Sequence, residues 1–246
     1  MRTKTLLLSA LLGALGSVAV HAQSVYSLNA VGYINVTNVP GFNMITCPLL
    51  ASPDNTVGTV LNNASGALIG DNVYFYNNTT GLYSEDTALA IGSGKGKTLN
   101  PNGWQLDGTN MASPGTAFWF ENRQSTNVVV TFVGTVPTGP ITNALVAGFN
   151  LVGSVVPVSG DIISNSISAL TNYNVGDTIY VYDPVTGYAD GTYPSSTNTG
   201  KGLHLGYNGN WGGIGDPILP YDSSGFWYDN RVGTTVNWVE NYSVGQ

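Results

Sequence analysis

The chain has 246 residues, of which 14 are acidic and 7 are basic, and charged residues make up only 9% of it. An acidic protein without a basic cluster repels phosphate backbones, so this balance excludes a nucleic-acid-binding protein. The single cysteine, Cys47, excludes an intramolecular disulfide, and its apolar surroundings in the sequence predict a buried structural thiol.

The first residues predict an export signal. Arg2 and Lys4 precede an apolar run over residues 6–15, and small residues follow as far as Ala22. This order is typical of a secretory signal peptide, here residues 1–22, and the apolar run is too short to span a bilayer. We therefore expect a secreted, extracellular or periplasmic protein without a membrane span in its mature form.

The segments after the signal predict β structure. Residues 25–36 largely alternate between apolar and polar types, which predicts a strand pair or one long kinked strand. Residues 73–83 predict a hairpin whose turn ends at Gly81, and residues 179–188 predict a second one. Short helical turns are predicted at residues 55–61 and 162–170. With 32 glycines and 12 prolines, the class is all-β, with a β-sandwich or a small β-barrel in each half.

Three motifs occur twice, which predicts two copies of one β unit. The second copies are shifted by 106 to 108 residues and pair as follows: Gly-Phe-Asn at 41–43 and 148–150, Gly-Asp at 70–71 and 176–177, and an aromatic segment at 118–123 and 226–231. We therefore divide the mature chain into a first β unit, residues 23–137, and a second, residues 138–246.

The segment between the units, residues 136–140, is rich in Pro and Gly and too short for a flexible spacer, so we expect the units to touch. A contiguous aromatic strand such as Phe118-Trp119-Phe120 has both faces covered. One of those faces is expected to meet the other unit or another molecule.

Residue types that catalyse reactions do not recur between the copies. His204 is the only histidine after residue 22, so a catalytic triad and a zinc site both lack partners. We predict no catalytic residues, no metal and no cofactor. Glu121 and Asp229 occupy an acidic position that both copies keep, and each precedes an arginine by two residues. We interpret these as structural or solvated ion pairs, and carboxylates of a glycan hydrolase are the weaker reading.

Oxygen-bearing side chains near the second hairpin raise the question of calcium. Asp183, Thr186 and Asp190, with Asp177 nearby, are suitable ligand types. The full calcium-loop pattern is absent, so a solvated hairpin turn is the favoured interpretation.

Trp104 and Trp211 are the candidate ligand-binding residues. They stand in matching glycine-rich loops, and Tyr207 lies beside the second. An aromatic side chain in such a loop can stack on a sugar ring, and the alternative is that each tryptophan closes the end of its own core.

Five segments carry a resemblance to known proteins: residues 29–36, the two Gly-Phe-Asn motifs, residues 132–137 and residues 237–244. Together they resemble a group of uncharacterised secreted tandem-repeat β proteins of planctomycete and verrucomicrobial type bacteria. The Gly-Phe-Asn-Leu motif with its Tyr-x-Tyr hairpin is also similar to the Gly-Trp-Asn-Leu repeats of bacterial surface proteins. These resemblances imply export and a duplicated β unit, and they bring no catalytic residue.

The function predicted from these observations is that of an exported, non-enzymatic structural or surface-interaction protein of the cell envelope or extracellular matrix. The alternative is a carbohydrate-binding module that uses the loop tryptophans, and a glycan hydrolase comes third. The expected partners are a polysaccharide or an envelope component, and self-association through unpaired strand edges is a further candidate.

Overall fold

The computed structural model describes residues 30–62, 65–86, 94–95, 97–100, 103–104, 110–164, 167, 169–188, 190–192, 199–205, 211, 216–231 and 233–243. The predicted signal segment 1–22 and Tyr207 lie outside these residues. No described helix has the length and apolarity needed to cross a membrane. We refer to the described residues up to 137 as the first half and to those from 138 as the second half.

Strands account for 52% of the structure and helix for 3%, which confirms the predicted all-β class. The strands of the first half are β1 Val31–Asn38, β2 Gly41–Thr46, β3 Asn72–Tyr74, β4 Tyr76–Asn77, β5 Leu82–Tyr83, β6 Glu85–Asp86, β7 Gly94–Lys95, β8 Lys97–Asn100, β9 Gly103–Trp104, β10 Ala117–Asn122 and β11 Val128–Thr135. The strands of the second half are β12 Gly139–Leu145, β13 Gly148–Gly153, β14 Gly160–Asp161, β15 Thr178–Asp183, β16 Gly187–Tyr188, β17 Asp190–Thr192, β18 Thr199–Lys201, β19 Leu203–His204, β20 Ile218–Leu219, β21 Gly225–Asn230 and β22 Val236–Tyr242.

One of the two predicted helical turns forms. Helix α1, Val57–Val60, lies within the segment predicted from residues 55–61. The other segment, residues 162–170, has no helix among its described residues. There the Asp161 carboxylate accepts the Ile163 N–H at 2.7 Å, and residues 162–164 form a turn.

The core of the first half lies between two sheets packed face to face, and the short strands β4–β5 and β6–β7 form two further pairs. Strands β1 and β11 form an antiparallel pair, and β2, β10, β3, β8 and β9 form the other sheet in that order. Phe118 and Phe120 of β10 share one core with Val130 and Phe132 of β11. Burial of this alternating apolar set holds the two layers together. The sheets do not close into a barrel in the described part of the chain. Of the two predicted architectures, the structure therefore shows layered sheets and not a small β-barrel.

The second half has equivalent strand pairings. Strands β12 and β22 pair, and β13, β21, β15 and β16 follow one another in the larger sheet, where β19 also pairs with β15. Its core contains Phe226 and Trp238, whose ring centroids lie 5.5 Å apart. Strand β1 pairs within the first half and β12 within the second, so these pairs exchange no strand between the halves. The duplication of the sequence itself stays a prediction.

The repeated Gly-Phe-Asn motif forms the start of β2 and of β13. Gly41 and Gly148 have φ angles of +94° and +87°, a region that favours glycine. The Asn43 side chain accepts the Val39 N–H at 3.1 Å and donates to the Val39 carbonyl at 2.9 Å. Asn150 makes the equivalent two bonds four residues upstream, both at 2.8 Å. The motif therefore fixes a strand-to-strand turn.

The repeated Gly-Asp motif anchors the end of the aromatic strand. Asp71 and Asp177 are buried. Asp71 accepts the Arg123 N–H at 3.1 Å, and Asp177 accepts the Arg231 N–H at 3.0 Å. A buried carboxylate satisfied by backbone donors has a structural role, so this second motif also carries folding information.

The predicted hairpins are confirmed in both halves. Strands β4 and β5 pair around a turn in which Asn77 accepts two backbone N–H groups, at 2.9 and 3.0 Å. Strands β15 and β16 pair around a turn in which Asp183 accepts two backbone N–H groups, at 2.8 and 2.7 Å. Gly81 and Gly187 close these turns at positive φ. The Asp183 carboxylate is thus engaged in its own turn.

The outer faces of the two central sheets pack against each other, so the halves touch as predicted. The Thr46 N–H donates to the Ser223 carbonyl at 2.8 Å, and the Gly153 N–H donates to the Gly115 carbonyl at 3.1 Å. Beside these bonds, one small cluster buries side chains from both halves, with Met44, Ala117 and Leu151 at its centre. The structure therefore holds the two central sheets in one fixed arrangement.

Gly153 is the position where this contact is closest. A β-carbon there would lie 2.5 Å from Thr46 Cβ, which is too short for a real contact, and Gly153 does not have a positive φ. We expect Gly153→Ala to lower the free energy of unfolding by about 1–3 kcal/mol because the two sheets must move apart. Gly32→Ala is the matched control, since it has nothing within 4 Å. Urea denaturation measures both, and equal midpoints for the two variants would contradict the close packing.

Candidate functional site

Trp104 and Trp211 belong to the two cores. Trp104 is 7% exposed, and its indole N–H donates to the Leu61 carbonyl at 2.6 Å. Trp211 is 1% exposed and lies edge-on to Tyr173 at a centroid distance of 5.5 Å. Neither ring has a free face for a sugar. Burial of a large indole stabilises the core, which is why both rings fold inward. The structure therefore assigns both tryptophans to core closure, whereas Tyr207 lies outside the described residues.

A different set of aromatic side chains lies between the two halves. Side chains alternate along a strand, so Phe118 and Phe120 enter the core while Trp119 points away from it. Trp227 of β21 is placed in the same way. Both tryptophans are partly buried against the other half. This confirms the prediction that the aromatic strand has one face covered by the other unit.

Each of these tryptophans packs on a tyrosine of the opposite half. The rings of Trp119 and Tyr182 lie 4.8 Å apart at 79°, and those of Trp227 and Tyr76 lie 4.7 Å apart at 82°. Edge-to-face pairs of this kind contribute about 0.5–1.5 kcal/mol beyond the area they bury. The two contacts are equivalent with the halves exchanged, which defines an approximate two-fold relation.

Two tyrosines from the hairpin strands β5 and β16 complete the centre of the cluster. The Trp119 indole N–H donates to the Tyr83 hydroxyl, and the Trp227 indole N–H donates to the Tyr188 hydroxyl, both at 3.1 Å. Burial is the main cause that raises the pKa of Tyr188 to about 12 and also raises the pKa of Tyr83. Both phenols therefore stay neutral at physiological pH.

Phenylalanines of the repeated motifs extend the cluster outwards. Phe42 lies 6.0 Å from Trp119, and Phe149 lies 6.0 Å from Trp227, both edge-on. Phe42 also contacts Tyr74 at 5.7 Å, and Phe149 contacts Tyr180 at 6.0 Å. We call the whole connected set the aromatic belt; its members are Phe42, Tyr74, Tyr76, Tyr83, Trp119, Phe149, Tyr180, Tyr182, Tyr188 and Trp227.

One side of the belt encloses a groove with a cavity volume of about 440 Å³. That volume is within the range of small-molecule sites. Every described side chain that lines it is aromatic, and the set comes from both halves: Phe42, Tyr74, Tyr83, Trp119, Tyr182 and Tyr188. Phe42 is 46% exposed, so part of this surface is open to a ligand. The groove exists only while the two halves are docked.

A polar group closes the Tyr74 end of the groove. The Tyr74 hydroxyl donates to the Glu121 carboxylate at 2.6 Å, and the Asn72 amide donates to the same oxygen at 2.8 Å. The Arg123 Nε lies 3.8 Å from the other carboxylate oxygen. Burial, followed by the bond to Glu121, raises the pKa of Tyr74 to about 12. The carboxylate is therefore already paired, and the phenol stays protonated.

The equivalent end of the second half carries the other predicted ion pair. The Arg231 Nε lies 2.7 Å from Asp229 Oδ2, and this bond is the main cause that raises the pKa of Arg231. A further hydrogen bond joins Arg231 to Tyr180. Both ion pairs inferred from the sequence are thus present, and each lies beside the outermost tyrosine of the belt.

None of the described residues that line the groove is a His, Cys, Asp or Glu. His204 is 3% exposed, and its Nδ1 lies 2.7 Å from the Thr178 hydroxyl, away from the groove lining. Burial lowers the pKa of His204, and Arg231 adds to this effect while Asp229 opposes it. The Cys47 thiol is also buried, as predicted, and burial raises its pKa to about 11. Such groups hold a fold together and do not suit nucleophilic or acid-base chemistry.

The described residues contain no group of three or more His, Cys, Asp or Glu side chains arranged to hold a metal ion. Of the oxygen ligands considered for calcium, Asp183 is engaged by its own turn. Asp177 is buried and is bonded to the Tyr228 hydroxyl and to backbone donors. The side chain of Asp190 lies outside the described residues.

No known protein-family model, curated protein or solved structure matches this chain. A functional proposal therefore rests on the aromatic groove itself. Sequence reasoning about loop tryptophans misses this site because its members sit on strands, inside motifs that also direct folding. Strand alternation is the signal that finds it, since the middle residue of Phe118-Trp119-Phe120 must face away from its neighbours.

Proposed function

We propose that this chain is an exported, non-enzymatic surface-interaction protein that binds a neutral carbohydrate in the aromatic groove. The observation that carries the proposal is a cavity of about 440 Å³ whose lining, over the described part of the chain, is aromatic and drawn from both halves. The site thus differs from the loop tryptophans considered first, while the ligand class is the same.

The groove has the chemistry that a sugar ring needs. The C–H faces of a pyranose pack on partly exposed aromatic rings, and here Trp119 and Phe42 offer such rings. Sugar hydroxyls need hydrogen-bonding partners at the edges. The phenols of Tyr83 and Tyr188 are neutral donors and acceptors, and Glu121 with Arg123 stands at one end.

The charge pattern argues against other ligand classes. An anionic ligand meets an acidic protein with a formal net charge of −7 and a carboxylate beside Tyr74. A quaternary ammonium ligand favours an aromatic cage with an unpaired carboxylate, but Arg123 lies 3.8 Å from Glu121 and offsets its charge. A lipid tail would cover the phenols of Tyr83 and Tyr188, which accept the indole N–H groups, without offering their hydroxyl protons an acceptor.

This activity suits a structural component of an envelope or matrix. The repeated motifs fix turns and strand ends, and the groove offers neutral rings and phenols without a reactive group. Binding a polysaccharide through such a groove would attach the protein to the cell surface or its surroundings. Turnover of the glycan is not part of the proposal.

The test is a titration of the mature protein, residues 23–246, with cellohexaose, xylohexaose and mannohexaose. Trp119 and Trp227 lie in the belt, so we expect a saturable change in tryptophan fluorescence with one of these sugars. Pull-down on insoluble polysaccharides and on the producer's own envelope extends the panel to ligands that do not dissolve. Choline is the competing probe.

Three outcomes would overturn the carbohydrate proposal. The first is binding of choline without binding of any glycan, which would indicate a cation site. The second is no response to any glycan in solution or in pull-down. The third is concentration-dependent assembly without glycan binding, which would favour a purely structural role with another copy of the chain as partner.

Phe42→Ala is the first variant to test. Phe42 lines the groove and is 46% exposed, so its removal takes away a stacking surface with little cost to the core. We expect the affinity for the bound hexaose to fall about tenfold, which corresponds to about 1.4 kcal/mol. The matched control is Tyr33→Ala, since Tyr33 is 72% exposed on β1 and does not line the groove. Equal affinities for the two variants would place the sugar elsewhere.

A further inference from the structure

The aromatic belt continues beyond the groove into the second half. Its rings form an unbroken series of contacts from Tyr74 and Phe42 through Trp119 and Tyr182, and from there to Tyr188. From Tyr188 the series continues through Tyr180, Phe149 and Trp227 of the second half and ends at Tyr76 of the first. The groove therefore occupies one end of a longer aromatic surface.

The two ends of this surface are equivalent in geometry and exposure. Phe42 is 46% exposed and Phe149 is 47% exposed. Each lies 6.0 Å from the tryptophan of its own half. Each end is bordered by an acidic residue paired with an arginine, Glu121 with Arg123 and Asp229 with Arg231. A ligand unit that packs on one end therefore finds a phenylalanine, a tryptophan and a paired carboxylate at the other end as well.

The junction between the ends is neutral. Tyr83 and Tyr188 each hold the tryptophan of their own half, and both line the groove. No charged side chain lines the groove at this junction among the described residues. A neutral chain can therefore pass from one end to the other without meeting an unpaired charge.

From these observations we infer that the belt holds two equivalent subsites and that one linear, neutral polysaccharide chain fills both. This inference rests on the proposed carbohydrate function and names the form of the ligand, a polymer of repeating sugar units. Two linked subsites bind one polymer much more tightly than either binds a single unit, because the second contact is intramolecular.

The approximate two-fold relation adds a condition on recognition. A polymer that runs through both subsites meets them in opposite orientations relative to its own direction. Both subsites can accept it only if they recognise the faces of the sugar rings and not the direction of the chain. Aromatic stacking meets this condition, because a ring face offers the same apolar surface in either orientation.

The experiment compares a disaccharide with the hexaose of the same sugar, using whichever hexaose binds in the titration above. Calorimetry is expected to give two disaccharides but one hexaose per protein, and the hexaose should bind at least tenfold more tightly. Phe149→Ala is expected to weaken hexaose binding by the same factor as Phe42→Ala, about tenfold. Phe149→Leu keeps an apolar side chain as a check on folding and should weaken binding less.

The outcomes separate this inference from the proposed function. If Phe42→Ala weakens binding and Phe149→Ala does not, the protein has one subsite and the inference is overturned while the carbohydrate proposal stands. One disaccharide per protein would lead to the same conclusion. If neither variant changes the affinity, the sugar does not bind the belt, and the proposed function fails with the inference. Tyr33→Ala remains the unchanged control in every arm.

Discussion

Replacing Trp104 with alanine is expected to lower the free energy of unfolding by about 3–5 kcal/mol, the cost of removing a large buried aromatic side chain. The indole is 7% exposed and lies in the core of the first half. The variant that remains folded should bind a glycan as the native protein does, because Trp104 is not part of the belt. Urea denaturation followed by far-UV circular dichroism measures the first effect, and calorimetry measures the second.

Trp104→Phe serves as the partial control. It keeps an aromatic ring but removes the indole N–H that donates to the Leu61 carbonyl at 2.6 Å. Loss of that buried bond should cost about 1–2 kcal/mol, less than the alanine variant. A Trp104→Ala protein of native stability that no longer binds the glycan would contradict this assignment and restore the loop tryptophan as a stacking platform.

Glu240 is expected to make the protein less stable as the pH rises from about 4.5 to about 7. Its side chain is fully buried on β22, and burial raises its pKa from 4.5 to about 7. The Ser154 hydroxyl donates to the Val156 carbonyl at 2.6 Å and also contacts Glu240. Since that hydroxyl has one proton, a protonated Glu240 is the natural donor to Ser154 Oγ.

The direction of the pH effect follows from these two pKa values. In the unfolded chain the carboxyl group loses its proton near pH 4.5, whereas in the folded protein it keeps it to about pH 7. The stability from this group is therefore fully present below pH 4.5 and is lost as the pH rises through 7, by roughly 3 kcal/mol in total. Aspartates with lowered pKa values, such as Asp54 and Asp183, are already ionised above pH 4.5. They therefore do not change how the stability varies with pH in this range.

Glu240→Gln is the matched variant for this measurement. The amide can still donate to Ser154 Oγ and accept the Val155 N–H, which lies 2.8 Å from the native carboxylate. Its unfolding midpoint in urea should exceed that of the native protein at pH 8 and equal it near pH 4.5. The lowered pKa of His204 makes the stability rise with pH, and this effect is the same in both proteins. The difference between the two curves therefore isolates Glu240, and two parallel curves would show that it is ionised in the folded state.

Local sequence patterns predicted most of the fold. Alternation, turn glycines and turn asparagines act over a few residues, so the hairpins at Gly81 and Gly187 and the strand starts at Gly41 and Gly148 were accessible from the chain alone. In the segment 162–170, where a helical turn was predicted, the described residues form a turn at 162–164 and no helix. The spacing of apolar residues does not separate a single turn from a short helix.

The binding site was harder to predict, because its groups come together only through docking of the halves. Trp119 and Tyr182 lie 63 residues apart in sequence, yet their rings lie 4.8 Å apart. Alternation shows that Trp119 faces away from its own core, but it does not say which side chain will meet it. For Trp104, composition of the loop suggested exposure, whereas the ring folds inward because that burial stabilises the core.

The walls of the groove come from both halves, and this gives a ligand a mechanical role. A chain bound across Trp119 and Tyr182 would join the two halves and add its binding free energy to the contact between them. A force that pulls the ends of the protein apart, such as shear at a cell surface, would then have to break the sugar contacts together with the packing at Gly153. The occupied protein should therefore act as a stiffer link than the empty one.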